Sequence, residues 1–350
     1  MFSPLLTWYQ KDGRDLPWRR TKNPYKIWLS EVILQQTRVE QGLSYYLRFI
    51  ETFPTVEQLA NASEDEVMRL WQGLGYYSRA RNLHEAARQV VQMGGFPTSY
   101  AEIRSLKGIG DYTAAAIASF AYGLPHAVVD GNVYRVLSRV FAIDTPIDST
   151  EGKRQFATLA QEILPQGHAA LHNQAMMDLG ALICTPRSPE CEKCPLANIC
   201  IAHGEGRPED FPVKAKRTLV RTRFLTYIIV TDGTNILLHR RPKGDIWQGL
   251  YEPLLIETDA PLSASDLLNH PQLQAFRSSE STLTLLVSDM SHKLSHQNLH
   301  TWGYLLRTTQ PLTADMIPTY SHIPLTDLNR YALPRLITRI LEQTAYPNSL

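Results

Sequence analysis

The sequence predicts two domains, a mainly α-helical one followed by a smaller α+β one. Residues 1–212 carry the spacing of apolar side chains that is typical of amphipathic helices, with few strand-like runs. From about residue 221 the pattern changes to alternating, β-branched segments such as FLTYIIV and ILLHRR, separated by a DGTN turn signal. A chain of 350 residues is long enough to form both domains.

Composition and charge restrict the class of protein. No apolar run approaches the roughly 18 residues that a membrane-spanning helix requires. The N-terminal stretch lacks the order of basic, apolar and small residues of a secretory signal, so we expect a soluble, cytoplasmic protein. The net charge is only +1. Any contact with nucleic acid must therefore depend on local patches and backbone amides, because an overall positive charge is missing.

A basic stretch, residues 213–223, separates the predicted domains. A solvated linker is the simpler interpretation, and a basic strap beside a phosphate backbone is the alternative. Residues 224–350 would form the second domain, with LHTWGYLL as a further strand and RLITRILEQT as a closing helix. The basic residues of the stretch, with no acidic residue between them, are Lys214, Lys216, Arg217, Arg221 and Arg223.

Glu31 is the first candidate catalytic residue, in the middle of a predicted helix. The segment NPYKIWLSEVILQQT opens with Asn23 as the N-cap and Pro24 in the first turn. The residues three and four positions from Glu31 are mostly apolar, which would desolvate its carboxyl and favour the protonated form. Such a group can act as a general acid near neutral pH. A surface glutamate is the simpler alternative.

Asp130 is predicted to lie in the opposite kind of environment. It follows a short apolar run and directly precedes the helical pattern GNVYRVLSRVF, which makes it a natural N-cap. Backbone amides and the helix dipole favour the ionised carboxylate there, although most such aspartates only cap. With Glu31 it would form a pair whose pKa values are pushed apart, as expected of an acid and an ionised partner at the anomeric carbon of a sugar.

Two glycines, Gly108 and Gly110, open a helix within LKGIGDYTAAAIASF, residues 106–120. A tight turn of this kind, followed at once by a helix, can hold a phosphate with backbone amides alone. An ordinary helix connection is the alternative, since a single G-x-G is weak evidence.

All four cysteines of the chain lie within seventeen positions, with the spacing C-x6-C-x2-C-x5-C. Thiols of a cytosolic protein are usually kept reduced, so four of them in one loop indicate a shared metal centre. Both a tetrahedral zinc ion and an iron–sulfur cluster are compatible with the spacing. The four residues are Cys184, Cys191, Cys194 and Cys200.

Together these motifs resemble the endonuclease III superfamily of DNA glycosylases. LKGIG with its helix is similar to the helix–hairpin–helix of that superfamily, VVDGNVYRVLSR to the segment with its aspartate, and the cysteine spacing to its iron–sulfur loop. More narrowly, LPWR, PYKIWLSEVILQQT, LWQGLGYYSRARNL and NQAMMDLGALIC resemble adenine DNA glycosylases of the MutY type. The resemblance covers nearly the whole chain, densely to residue 212. It implies one 4Fe–4S cluster on loop 184–200, and not zinc.

The resemblance implies a monofunctional DNA glycosylase of base excision repair that flips adenine out of a mispair with 8-oxoguanine or guanine. Glu31 would protonate adenine N7, and Asp130 would stabilise the oxocarbenium-like sugar, through a covalent intermediate, before water completes the hydrolysis. The expected partner is double-stranded DNA that contains the mispair. The expected state is a monomer, in the bacterial cytoplasm and on the nucleoid during repair.

The same resemblance assigns further site residues. Tyr112 and Asn132 would hold the catalytic centre, and position 112 carries lysine in relatives that also cut the strand through a Schiff base. Tyrosine there argues against the rival reading, a lyase acting on oxidised pyrimidines. The adenine pocket would comprise Trp18, Arg19 and Gln174. Contacts with DNA and the lesion strand would come from Gln36, Thr37, Leu74, Tyr76, Gly108, Gly110 and Ser295, with Tyr76 as the wedge.

The second domain resembles the Nudix-like domain that reads 8-oxoguanine in this family. ILLHRRPKGDIWQGLYEPLL is the most similar stretch, but the acidic, metal-binding Nudix box is absent, so we expect no pyrophosphatase activity. Leu294, Ser295 and His296 correspond to a short recognition loop that is usually Phe-Ser-His, with leucine in place of the aromatic residue. A non-catalytic iron–sulfur DNA-binding protein is the remaining alternative, and the paired carboxylates argue against it.

Overall fold

Two compact units make up the chain in the computed structural model, which describes residues 2–215, 220–276, 280–313 and 317–344. The helical unit consists of the described residues of Met1–Asn61 and Asn82–Arg217. The sheet unit consists of those of Ala62–Arg81 and Thr218–Leu350. The boundary at residue 212 stays a prediction, and Lys216 and Arg217 of the basic stretch lie outside the described residues.

Helices account for most of the chain up to residue 204. Helix α5 and the first turn of α6 belong to the sheet unit, and the other helices of this stretch belong to the helical unit. No helix in the described ranges is both long and apolar enough to cross a membrane. The helices are α1 Ser3–Asp12, α2 Pro24–Ile33, α3 Val39–Thr52, α4 Val56–Asn61, α5 Glu64–Trp71, α6 Ser78–Gln92, α7 Tyr100–Ser105, α8 Asp111–Tyr122, α9 Gly131–Val140, α10 Thr150–Glu162, α11 Ala169–Leu182 and α12 Ile201–Gly204.

Helix α2 lies in the interior of the helical unit. Asn23 is its N-cap, as predicted, and accepts a 3.1 Å hydrogen bond from the backbone amide of Lys26. All residues of α2 from Ile27 to Ile33 are buried, and the helix packs on α8. Helix α8 is rich in buried alanine, which allows α2 to approach closely. A carboxyl in the middle of α2 is thus largely removed from solvent.

The helix–hairpin–helix consists of α7, a turn over residues 106–110, and α8. Gly108 has a φ of 75°, and a Cβ atom there would lie 2.6 Å from Cβ of Asn82 on α6. Both the left-handed backbone and the close approach require glycine. Gly110 is the N-cap of α8 in an extended conformation. The predicted hairpin is therefore confirmed.

The described strands of the sheet unit form one seven-stranded sheet, in the order β3-β2-β1-β6-β5, with β4 paired to β1 and β7 to β2. Only the β1–β6 pair is parallel among these pairings. The apolar side of α14 packs on the sheet, and the predicted strands and closing helix are confirmed. The elements are β1 Arg221–Thr231, β2 Asn235–Arg240, β3 Tyr251–Glu252, β4 Leu254–Thr258, α13 Ala264–Leu268, β5 Thr282–Lys293, β6 Gln297–Arg307, β7 Ser321–Pro324 and α14 Arg335–Leu341.

Arg223, which the sequence places in the basic linker, is a buried residue of β1. It is 6% exposed and donates hydrogen bonds of 2.7 Å to Glu257 and to Asp245. The interpretations as a solvated linker or a phosphate strap are both wrong for this residue, because its charge is neutralised inside the unit. Its two acidic partners lie 22 and 34 positions away, beyond the reach of local charge patterning.

Candidate active site

The carboxyl of Glu31 lies on the buried side of α2, and the residue is only 5% exposed. The hydroxyl of Tyr112, in the first turn of α8, donates a 2.6 Å hydrogen bond to Glu31 Oε2. Burial raises the pKa of Glu31 to about 7, although the Tyr112 hydrogen bond acts in the opposite direction. Nearby Asp130 raises the pKa further, and Arg19 lowers it. A large fraction of Glu31 is thus protonated at neutral pH, as a general acid requires.

Asp130 is the N-cap of α9, as predicted. Its Oδ1 accepts a 2.8 Å hydrogen bond from the amide of Val133, and its Oδ2 accepts a 2.9 Å bond from Asn132 Nδ2. Arg135 continues the chain, because it donates to Asn132 Oδ1 at 2.8 Å and to the carbonyl oxygen of Cys184 at 2.7 Å. A connected path of hydrogen bonds therefore runs from the cysteine loop to the carboxylate of Asp130.

The pKa of Asp130 differs from the prediction. Burial raises it above the usual range, and the hydrogen bonds from Val133 and Asn132 offset this only in part. The residue keeps some exposed surface, but its carboxyl is enclosed beside Glu31. The capping position visible in the sequence favours ionisation, whereas the desolvation comes from residues distant in the sequence and is the larger effect. Both carboxyls thus have raised pKa values, and the prediction that Asp130 is shifted the other way is wrong.

A cavity of about 400 Å³ lies beside Glu31, and it is called the Glu31 cavity below. The three residues predicted for the adenine pocket line it, together with Tyr112 and Asn132. Gln174 Oε1 accepts a 2.9 Å hydrogen bond from the hydroxyl of Tyr9. The cavity is large enough for a purine base and has both apolar and polar walls. Its predicted members are Trp18, Arg19 and Gln174.

Asp178 supports the wall of this cavity and was missed by the sequence analysis. Arg19 donates two hydrogen bonds to its carboxylate, at 2.7 and 2.8 Å. Arg14 adds two from its guanidinium, at 2.8 and 2.5 Å, and one of 2.9 Å from its backbone amide. Burial alone would raise the pKa of Asp178, but the hydrogen bonds and charges of Arg19 and Arg14 lower it below the usual value. Asp178 lies four residues after Gln174 on α11, so helical spacing was the one signal available in the sequence.

A second opening, of about 490 Å³, lies on the hairpin side of Glu31. Gly108, Gly110, Gln36 and Asp130 line it, and Glu31 and Tyr112 border both spaces. The catalytic candidates thus stand between an inner cavity and an open surface at the hairpin. This arrangement has room for a base on one side and a sugar-phosphate on the other.

The four cysteines surround one small apolar cavity against α9 and α11. They are free thiols, and Arg139 donates a 3.2 Å hydrogen bond to Cys184 Sγ, where it can balance thiolate charge. Within the described ranges, no three side chains of metal-binding type are placed to hold a single metal ion. Four thiolates around one cavity are the ligand set of an iron–sulfur cluster.

Comparison with known proteins agrees with this geometry. Residues 29–166 match the HhH-GPD superfamily of base excision DNA repair proteins, residues 184–200 the iron–sulfur binding domain of endonuclease III, and residues 225–343 the NUDIX domain. The adenine DNA glycosylase of Buchnera aphidicola subsp. Baizongia pistaciae is 36% identical over 305 residues, which span 85% of this chain and 84% of the relative. The chain belongs to the adenine DNA glycosylase family.

As an adenine DNA glycosylase, the protein acts on DNA, hydrolyses N-glycosyl bonds in base excision repair and carries an iron–sulfur cluster. The human adenine DNA glycosylase is 47% identical over 209 residues, which span 57% of this chain and 38% of that protein. A solved thermostable thymine-DNA glycosylase is 32% identical, with a TM-score of 0.54, over 58% of this chain and 94% of its own. The predicted fold class is confirmed.

The sheet unit of this glycosylase contains a groove of about 470 Å³ that brings together Leu74, Tyr76 and Ser295. Tyr76 is 47% exposed, and Ser295 Oγ lies 3.2 Å from His296 Nδ1. Leu294, the first residue of the predicted recognition loop, packs against the core of the sheet. We call this space the sheet-unit groove.

Two of the predicted lesion-strand contacts, Gln36 and Thr37, lie in the helical unit. Thr37 lines the Glu31 cavity, and Gln36 lines the opening at the hairpin. The roles of these residues in reading DNA, and the catalytic roles of Glu31 and Asp130, stay predictions.

Proposed function

We propose that this glycosylase removes adenine opposite 8-oxoguanine, and more slowly opposite guanine, by a two-step hydrolysis that uses Glu31 and Asp130. The observation that carries the proposal is the buried carboxyl of Glu31, which has a pKa of about 7 and borders a cavity of purine size. A buried acid that is half protonated at neutral pH is suited to protonating a leaving base.

In the first step the flipped adenine occupies the Glu31 cavity. Tyr112 donates to Oε2 of Glu31, which leaves Oε1 to carry the acidic proton. That proton passes to N7 of adenine, the C1′–N9 bond breaks, and its electron pair stays with the purine. Adenine then leaves as a neutral base, and Glu31 is left as a carboxylate.

In the second step Asp130 meets the positive charge that develops on the sugar. The Val133 amide and Asn132 Nδ2 bind separate oxygens of Asp130 and so fix the orientation of its carboxylate. One oxygen forms a bond to C1′. Water then transfers a proton to Glu31 as its oxygen displaces Asp130 from C1′, and an abasic site remains. Both residues return to their starting protonation states.

The iron–sulfur cluster is proposed to be of the 4Fe–4S type, held by the four cysteine thiolates. When bound, it would cross-link loop 184–200 and keep the carbonyl of Cys184 in place. Arg135 binds that carbonyl and Asn132, so the loop supports the orientation of Asp130. For the opposite strand, Ser295 and Tyr76 of the sheet-unit groove are the proposed contacts.

Single-turnover base release tests the proposal. Duplexes with adenine opposite 8-oxoguanine, guanine or cytosine are compared for the wild type, Glu31→Gln and the control Glu85→Gln, which changes an exposed carboxyl. We expect fastest release opposite 8-oxoguanine, a loss of about 10²–10⁴-fold in Glu31→Gln, and no loss in the control. The wild-type rate should fall as pH rises above 7, because Glu31 loses its proton.

Borohydride trapping distinguishes the rival lyase. A covalent adduct between protein and DNA would show Schiff-base chemistry and contradict the monofunctional mechanism. Full activity in Glu31→Gln would contradict the assignment of the acid, and equal rates opposite all three bases would contradict the mispair preference.

A further inference from the structure

Trp247 lines the sheet-unit groove together with Tyr76 and Ser295, and no sequence pattern had singled it out. It lies in the loop between β2 and β3 and has a φ of 58°. Tyr76 has a φ of 48°. Among the described residues, six non-glycine residues have positive φ, and two of these are aromatic residues that line this one groove. Such backbones are costly for bulky side chains and concentrate at binding sites.

Buried ion pairs hold the loop of Trp247 in this conformation. Arg223 donates to both carboxylate oxygens of Asp245, at 2.7 and 2.8 Å. Arg241, which is 5% exposed, donates to the carbonyl of Ile246 at 2.8 Å and to Asp245 at 2.5 Å. These contacts fix the backbone immediately before Trp247. The left-handed conformation is thus over-determined by its surroundings.

The loop is also fastened after Trp247. Arg81 donates to the carbonyl oxygen of Gln248, and the amide of Leu250 donates to the carbonyl of Trp247 at 3.0 Å. Arg223 in addition donates to Gln297 Oε1 at 3.1 Å, just beyond the Ser295 loop. One buried arginine therefore connects the two loops that supply Trp247 and Ser295 to the groove.

The indole ring of Trp247 is supported but not enclosed. The guanidinium of Arg241 lies over the ring at 5.9 Å from its centroid, and His292 makes a T-shaped contact at 5.9 Å. The residue nevertheless keeps part of its surface exposed. A rigid aromatic ring at the edge of a groove is a stacking surface for a nucleobase.

We propose that Trp247 is a specificity-determining residue that stacks on a nucleobase of the strand opposite the excised adenine, within the sheet-unit groove. This inference rests on the proposed function, because it takes that strand to be read in this groove. The ring supplies the apolar contact, and the neighbouring Ser295 supplies a polar group for a base edge. Arg223 and Arg241 act through Trp247 and are positioning residues.

The test uses the full-length holoprotein and a duplex in which a 2′-fluoro adenosine, which resists cleavage, stands opposite 8-oxoguanine. Trp247→Leu keeps an apolar side chain but removes the ring, and Trp247→Phe keeps a ring. Phe224→Leu is the matched control, because Phe224 is a partly exposed aromatic residue that stacks on His300 outside the groove. Thermal unfolding of each variant checks the fold.

We expect Trp247→Leu to weaken binding of this duplex about tenfold, Trp247→Phe to weaken it much less, and Phe224→Leu to leave it unchanged. Trp247→Leu should weaken binding of an undamaged duplex less than binding of the duplex with 8-oxoguanine. Binding by Trp247→Leu equal to that of the wild type, or equal losses in Trp247→Leu and Phe224→Leu, would overturn the proposal.

A fluorescence titration and the base preference of the wild type complete the test. Should Trp247→Leu fail to fold, the fluorescence difference between the wild type and Trp247→Phe is followed as duplex is added. Stacking quenches the Trp247 contribution, and an unchanged difference would refute the contact. A wild type without preference for 8-oxoguanine would refute the proposed function itself, whereas a preference that survives intact in Trp247→Leu refutes only the role of Trp247.

Discussion

Two buried carboxyls near the Glu31 cavity have opposite electrostatic environments. Glu31 receives a hydrogen bond from an uncharged hydroxyl, and burial raises its pKa to about 7. Asp178 has no exposed side-chain surface, yet its pKa is lowered because Arg19 and Arg14 outweigh the effect of burial. The identity of the neighbouring groups, and not burial alone, therefore decides that Glu31 can donate a proton whereas Asp178 stays ionised and supports the cavity wall.

Asp178→Asn removes the negative charge that is paired with the two arginines. Of three substitutions that test this comparison, it should have the largest effect on stability. The change leaves Arg19, whose side chain is 10% exposed, without its anionic partner, and we expect the free energy of unfolding to fall by about 3 kcal/mol. Urea unfolding at pH 7 measures the loss. Asp15→Asn is the control, because it removes the exposed pair with Arg20 and should cost little. Equal effects of the two changes would contradict a structural role for Asp178.

Glu31→Gln should raise the free energy of unfolding above neutral pH, which is opposite to the effect of Asp178→Asn. The carboxyl titrates near 4.5 when unfolded and near 7 when folded, so the folded state binds more protons between these values and loses stability as pH rises through them. Glutamine removes this loss, and we expect the variant to gain about 1–3 kcal/mol over the wild type at pH 8 but not at pH 4. A difference that is independent of pH would show that Glu31 is not desolvated.

His172 extends the comparison to a buried titratable group without a charged partner. Of the three substitutions, the one at His172 should have the smallest effect on stability. Burial lowers its pKa to about 4, and its Nδ1 has no hydrogen-bond partner in the described structure. The unfolded chain therefore binds more protons below about pH 6.5, and stability is lost as pH falls from there towards 4. His172→Phe should reduce this loss by about 1 kcal/mol at pH 5.5. Calorimetric unfolding between pH 7 and 5 measures it, with His168→Gln, which changes an exposed histidine, as the control.

Local signals in the sequence were enough for several site residues. Caps, turn glycines and helical spacing act over a few positions, so Asn23, Asp130, Gly108 and Gly110 could be placed correctly. The burial of Glu31 followed from the apolar residues one turn away on the same helix. The cysteine spacing likewise indicated a shared site.

The rest depends on contacts between distant parts of the chain. Arg14 and Asp178 are 164 positions apart, and no local pattern connects them. The raised pKa of Asp130 and the burial of Arg223 have the same origin, since both result from packing that short-range spacing does not encode. Trp247 was missed because a strained loop residue has no periodic signature.

The glycine turn of the hairpin has a consequence for how DNA would be bound. Asn82 stands so close to Gly108 that no side chain, and hence no lysine, can be placed at this point of the turn. Main-chain amides cannot extend away from the backbone as a side chain can, and they do not distinguish one base from another. If Gly108 and Gly110 contact DNA as the sequence predicts, the distance between a DNA strand and the turn is then set by the backbone, and it is the same for every base sequence.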